Sequence, residues 1–205
     1  MMNSYLDKQI KITFGKDFDQ MSEEEKREIT EITLSYKDFK GDLTGVSITE
    51  LLKFPNLKKC LISGFELTDD DLEVFNDLEK LRGIQFSGCS FLEVTNALRN
   101  IELVVIDGCA EIPKKLLQGN ETLRYFRAVN QSYFDVASLS GCNNLIEAYL
   151  QRSTLANILE LRKLKNLKLV NLNGSKFNLL AYTHLRTSQK LQVEYDKDAP
   201  PDYSR

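Results

Sequence analysis

A leucine or isoleucine recurs along this chain at nearly constant spacing, and each time it opens the same short phrase. Leu57, Leu81, Ile101, Leu123, Leu145, Leu167 and Leu191 are separated by 24, 20, 22, 22, 22 and 24 residues. Small or apolar residues follow three and five places on: Cys60 and Ile62, Ile84 and Phe86, Val104 and Ile106, Phe126 and Ala128, Ala148 and Leu150, Val170 and Leu172. Self-similarity at a fixed period of roughly 20–29 residues marks a repeat architecture. Each unit carries an apolar face that it cannot cover alone, so neighbouring units must stack. The 205 residues therefore read as one elongated solenoid and not as two globular domains.

Side chains alternate across a strand, so the first, fourth and sixth places of the phrase point inward and the third, fifth and seventh point out. The phrase predicts a right-handed solenoid with a parallel sheet of at least six strands, near residues 59–62, 83–86, 103–106, 125–128, 147–150 and 169–172. The second half of each unit reads as a polar turn and a short helical or irregular return. Thr68 has the form of an N-cap ahead of Asp69, Asp70 and Asp71, acids that a helix dipole favours in its first turn. Leu72, Phe75 and Leu78 then recur at helical spacing, as do Leu155, Ile158, Leu161 and Leu164.

The ends depart from the repeat. Residues 1–28 read as a terminal cap, with one face to water where another repeat would otherwise stack. Within them Ser22 and Glu25 form a capping-box pattern that opens a helix through about Glu28. Ile10, Ile12 and Phe14 alternate with polar residues, as in a half-buried strand. The phrase returns at Ile29, Ile32 and Leu34, followed by a long connection to Leu57. At the other end Glu194 falls where an apolar residue is due, so Leu191–Tyr195 reads as an edge strand in a different register. Asp196–Arg205 reads as a polar tail that frays. The expected division is a cap over 1–28, about seven repeats over 29–190, and an edge strand with tail over 191–205.

From residue 29 to 195 the phrase resembles the leucine-rich repeat pattern LxxLxLxxNxL, and its 22-residue units are similar to internalin-type or ribonuclease-inhibitor-like repeats of bacterial proteins. Asn56, Asn100, Asn144 and Asn166 stand just before the opening leucine or isoleucine, as that family often has it. The resemblance implies an α/β solenoid with a parallel concave sheet, short helices or irregular segments behind it, and protein binding as the commonest use. One departure is consistent. The ninth place, ordinarily Asn, holds Phe65, Cys89, Cys109, Gln131, Ser153 and Ser175, so the turn must satisfy its backbone groups in another way.

Chemistry finds little foothold. A net charge of −3, with acids interspersed among the lysines, argues against a nucleic-acid module, which needs clustered cations to neutralise phosphates. No stretch approaches the roughly 18 apolar residues of a membrane helix. The charged N-terminus lacks the apolar core of a secretory signal, which points to the cytoplasm. Cys60, Cys89 and Cys109 fall on inward places, where a reduced thiol acts as a small hydrophobe. Cys142 lies in a turn-like segment, and no CxxC pair marks a zinc or redox site. The single histidine, His184, has no evident catalytic companion. The Asp69–Asp71 run lacks the spacing of a calcium loop. We expect no catalytic residues, no cofactor and no metal.

The outward places do carry a pattern. Toward the N-terminus they are Gly and Ser with isolated larger groups. Toward the C-terminus they bring together Leu103, Val105, Tyr125, Arg127, Tyr149, Gln151, Leu169 and Asn171, with Arg152 adjoining. Tyrosine and arginine beside exposed aliphatics are typical of interface hot spots. These nine residues are the candidate partner-binding set. The expected function is a monomeric, non-enzymatic module that binds a protein through its concave face, with neither nucleic acid nor membrane as partner. Two alternatives stand beside it: an effector or surface-acting virulence-type repeat protein exported without a classical signal, and a regulator or inhibitor of a neighbouring enzyme.

Overall fold

The computed structural model describes residues 4–36, 48–188 and 190–198. Among the described residues there are four α-helices: α1 (Ser4–Phe14), α2 (Glu23–Glu28), α3 (Asp69–Asp77) and α4 (Leu179–Arg186). The strands are β1 (Glu31–Ser35), β2 (Lys59–Ser63), β3 (Glu66–Leu67), β4 (Gly83–Ser87), β5 (Ser90–Phe91), β6 (Leu103–Asp107), β7 (Tyr125–Val129), β8 (Phe134–Asp135), β9 (Glu147–Gln151), β10 (Leu155–Ala156), β11 (Leu169–Asn171) and β12 (Gln192–Glu194). Eight of them form one sheet in the order β1-β2-β4-β6-β7-β9-β11-β12, and every pairing is parallel. All six strands expected from the repeat phrase are in it. Pairs of two-residue strands, β3 with β5 and β8 with β10, stack the return segments in the same sense.

One hydrogen-bond joint recurs along the sheet. The carbonyl of the second place in each unit accepts the N–H groups of the second and third places in the next. The Lys58 oxygen takes Arg82 and Gly83 at 2.9 and 3.0 Å, Arg82 takes Glu102 and Leu103 at 2.8 and 2.9 Å, and Glu102 takes Arg124 and Tyr125 at 2.9 and 3.0 Å. This shared register brings every inward place into one core. Leu57, Cys60, Ile62, Leu81, Phe86, Leu123, Phe126, Leu145 and Leu150 are all buried there.

The ninth place solves the missing-asparagine problem with other polar atoms. The N–H of Cys89 donates to the Cys109 sulfur at 3.3 Å, that of Gln131 to the Ser153 hydroxyl at 3.1 Å, and that of Ser153 to the Ser175 hydroxyl at 3.0 Å. Those side chains also donate back to the sixth-place carbonyl one unit earlier: Cys89 to Ile62 at 3.5 Å, Gln131 to Ile106 at 3.2 Å, and Ser175 to Leu150 at 2.5 Å. Thiol, amide and hydroxyl thus share one task, satisfying buried backbone groups. Gln131 is too long for the place, and its side-chain carbonyl is buried without a partner.

The eighth place has a regularity of its own. Gly64, Gly88, Gly108, Asn130, Arg152 and Gly174 all take left-handed backbone, with φ between 51° and 76°. This turn directs each N–H to the next unit, as in Gly64 to Ser87 at 2.8 Å and Arg152 to Asn173 at 2.9 Å. The asparagines before the opening leucine form a second, outer series. Asn56 donates to the Arg27 carbonyl at 2.7 Å, Asn144 to Glu121 at 2.6 Å and Asn166 to Asn143 at 2.8 Å. Asn100 instead adopts left-handed backbone.

Behind the sheet the caps form as the sequence suggests. In α2 the Ser22 hydroxyl accepts from the Glu25 N–H at 3.1 Å, while the Glu25 carboxylate accepts from the Ser22 N–H at 2.9 Å. At α3 the Asp71 carboxylate takes the N–H and the hydroxyl of Thr68 at 2.9 and 3.0 Å. Asp69 reaches into the next unit, accepting from the Thr95 hydroxyl at 2.6 Å and the Asn96 N–H at 2.7 Å. These bonds, the Thr95 hydroxyl foremost, hold its carboxyl below the ordinary aspartate range. The Asp69–Asp71 run is therefore a capping feature. Ile158, Leu161 and Leu164 are buried around a 3-10 helix, Ile158–Lys163, whose three-residue turn matches their spacing more closely than an α-helix does.

One expectation changes at the N-terminus, and the shifted edge strand at the C-terminus is as expected. Ile10, Ile12 and Phe14 belong to α1 and not to a strand. Only Ile10 is buried among them, while Ile12 is 71% exposed. Gly15 stops the helix, with φ of 72° and its N–H returning to the Lys11 carbonyl at 2.9 Å. At the C-terminus β12 is an edge strand, one residue out of phase with Leu191. Val193 lies opposite Val170, which sends Glu194 to the open face opposite Asn171. Tyr195 then stands where a sixth-place residue is due, with its ring 4.9 Å from Phe177 and 5.2 Å from Tyr182. Part of the long connection after Leu34, residues 37–47, and the end of the tail, residues 199–205, lie outside the described residues.

A candidate binding groove on the open face of the sheet

Strands β4, β6, β7 and β9 place their outward residues in register across four units. Leu103 lies opposite Tyr125, which lies opposite Glu147. Val105 lies opposite Arg127, which lies opposite Tyr149. Together with Gln85, Asp107 and Val129 they line a groove of about 470 Å³ on the open face. Its apolar surface comes from Leu103, 37% exposed, Tyr125, 41% exposed, and the half-buried Val105. Its charges are Arg127 with the carboxylates of Asp107 and Glu147. The Tyr149 hydroxyl donates to Glu147 at 2.9 Å, and the Asn130 amide donates to Asp107 at 2.8 Å, so both acids are held in place. No histidine, cysteine or serine is among the residues lining the groove, which offers shape, aromatic surface and fixed charge.

Five of the nine residues picked out by sequence, Leu103, Val105, Tyr125, Arg127 and Tyr149, meet in this groove. The other four do not. Leu169 is half-buried one strand further along. Gln151 and Asn171 are 2% and 6% exposed, against the expectation of solvent-facing side chains. They are covered because they bond one another: the Gln151 amide donates to Asn171 at 3.2 Å, and the Asn171 amide donates to Glu194 at 2.9 Å. Arg152 is exposed but sits in the left-handed turn beyond β9, at the rim. Sequence reasoning passed over Gln85, Asp107 and Glu147. Their outward places were legible, but a search for tyrosine, arginine and aliphatics gives no weight to acids.

Elsewhere the chemistry stays sparse. His184 is exposed on α4, outside the groove lining. Among the described residues no three His, Cys, Asp or Glu side chains are grouped to hold a metal ion, and no helix is long and apolar enough to cross a membrane. All four cysteines are buried free thiols. Burial pushes the Cys60 thiol up, and Cys142 to about 11. Cys109 is pushed up by its hydrogen bond with Cys89 and then by burial.

An internalin of Listeria monocytogenes, among solved structures, aligns over 95% of this chain with a TM-score of 0.51 and 16% sequence identity. The fold is a leucine-rich repeat solenoid. This chain spans 63% of that internalin's length. Comparison of the sequence with described protein families and with curated proteins finds no match. In leucine-rich repeat terms the groove lies on the strand side of the solenoid, and the α-helices and 3-10 turns lie behind it.

Proposed function

We propose that this leucine-rich repeat chain is a non-enzymatic protein-binding module whose open sheet face is its docking surface. The observation that carries the proposal is the groove itself. Two tyrosines and an arginine, residue types enriched at interface hot spots, surround one depression with the exposed Leu103 and the half-buried Val105, all from three adjacent strands. The repeat fold commonly serves protein binding, which agrees with this reading but does not name a partner. Leu169 and Arg152 flank the groove and extend the proposed surface toward the C-terminal rim, with residues 1–28 as the cap at the other end. A cytoplasmic, monomeric protein is part of the same proposal.

The test is affinity capture from lysate of the source organism, run in parallel with wild type and with Tyr125→Ala and Tyr149→Ala. A protein held by wild type and weakened by either truncation by on the order of 2 kcal/mol, somewhat more than tenfold in affinity, supports the groove. Every captured protein binding both variants as tightly as wild type would remove the groove as the functional face.

A further inference from the structure

A second surface differs from the groove in chemistry and position. At the C-terminal end of the solenoid a cleft of about 430 Å³ opens between residues 161–167 on one side and Ser188, Lys190 and Leu191 on the other. Its rim carries Arg162, Lys163, Lys165 and Lys190, and its floor is leucine, including Leu164 and Leu191. Glu160 pairs with Lys163 at 2.7 Å. Among the described residues, Arg162, Lys165 and Lys190 form no ion pair. Some bases elsewhere are matched to acids, such as Lys11 with Asp17 and Lys114 with Asp135. In a chain of net charge −3, four bases and no acid line this one cleft.

We infer that this cleft takes an acidic segment of a protein partner, a run of aspartate or glutamate side chains. Backbone geometry separates this ligand from a compact phosphate. Phosphate sites draw on converging amide N–H groups at a helix N-terminus or an anion nest. Here the N–H groups of Leu164, Leu167 and Leu191 are already donated to the carbonyls of Leu161, Leu164 and Ser188. What remains is cationic heads on long stems, spread over two turns. That spread suits separate carboxylates strung along a chain, and leucine between them suits a peptide backbone and methylene groups. Complementary charge of this kind speeds encounter and screens partners. The inference rests on the chain being a protein-binding module, but not on the groove.

The probe is a fluorescent octaglutamate peptide, titrated into the full chain by anisotropy at about 50 and about 200 mM salt, conditions that span a clear change in screening. Binding should weaken as salt rises and fall at least tenfold in the triple variant Arg162→Glu, Lys165→Glu, Lys190→Glu. The variant Lys58→Glu, Lys59→Glu, Lys115→Glu carries the same change of net charge elsewhere and should retain binding. Thermal melts of both variants check that the fold persists, and Lys165→Arg with Lys190→Arg should bind like wild type even if reversal disturbs the turn. Absence of peptide binding, or equal loss in both triple variants, overturns the inference. So does displacement of the peptide by tripolyphosphate at lower concentration than by unlabelled octaglutamate, which would make the cleft a phosphate site. Because the probe has no group for the groove, its failure leaves the groove reading intact, and the capture experiment tests that reading alone.

Discussion

Left-handed backbone at the eighth place makes Arg152 the exception in a series otherwise held by Gly or Asn. An L-residue there costs roughly 1–2 kcal/mol, of which glycine's greater freedom when unfolded offsets about 0.5–1. Arg152→Gly should therefore raise stability slightly, by under about 1 kcal/mol in denaturant titration, while Gly88→Ala should lower it. No atom lies within 4 Å of the added methyl at Gly88, so its cost is backbone strain alone. A fall in stability for Arg152→Gly would instead assign a packing role to the arginine. On one strand, Tyr149 and Leu150 separate surface from core. Leu150→Ala leaves a cavity and should cost about 2–5 kcal/mol, whereas Tyr149→Ala should leave the fold standing. Thiol titration of the denatured chain without reductant should count four free cysteines, and a Cys89–Cys109 bridge would contradict the cytoplasmic proposal. Residue directions were legible in the sequence, because a strand alternates. Accessibility was not. Gln151 and Asn171 point to the open face as expected, yet bonds to neighbouring units cover them, and no single-strand pattern records a neighbour.

Individual elements follow the same divide between local and shared signals. The α2 and α3 caps were legible because capping chemistry is local to four residues. The segment at Ile10–Phe14 was not, since five residues satisfy two periods about equally well; Gly15, the helix stop, was the signal to weigh. The different register of β12 was legible in Glu194, which falls where an apolar residue is due, and the pairing of Val193 with Val170 sets the shift at one residue. The ninth-place ladder spans units too, and its irregular member is Gln131, with one buried amide oxygen unpartnered. Asn is shorter by one methylene and should fit the place, donating to the Ile106 carbonyl and accepting a backbone N–H. Gln131→Asn should stabilise by on the order of 1 kcal/mol, read as a higher denaturation midpoint at constant slope. A lower midpoint would mean that the longer amide is needed for its bond to Val129 at 2.6 Å.

For the molecule as a whole, the solenoid was legible because seven weak matches at one period leave few alternatives. Its groove was legible only in part, because a site formed by four strands depends on which outward residues align. Lateral ties between units also carry the acid response. The Asp135 carboxylate is driven up by burial, but bonds from Asn157, Lys114 and the Ala137 N–H outweigh this and hold it below the ordinary aspartate value of 3.8. A depressed folded-state value contributes stability above the unfolded value, lost as pH falls through the folded one. Melting temperature should hold down to about pH 4 and then fall, less steeply in Asp135→Asn than in wild type; parallel curves would exclude this carboxylate as a source.

From β2 through β11, joints between consecutive units use the same atoms: a second-place carbonyl, two N–H groups and the turn after the strand. Nothing in the joint between Lys58 and Arg82 distinguishes it chemically from the one between Glu102 and Arg124. The protein has a length, then, but no feature of the joint fixes the number of its parts. Excising one unit between equivalent points, or copying one in place, asks the new seam to form only bonds that its neighbours already form. Duplication of a unit would lengthen the open face of the sheet a strand at a time.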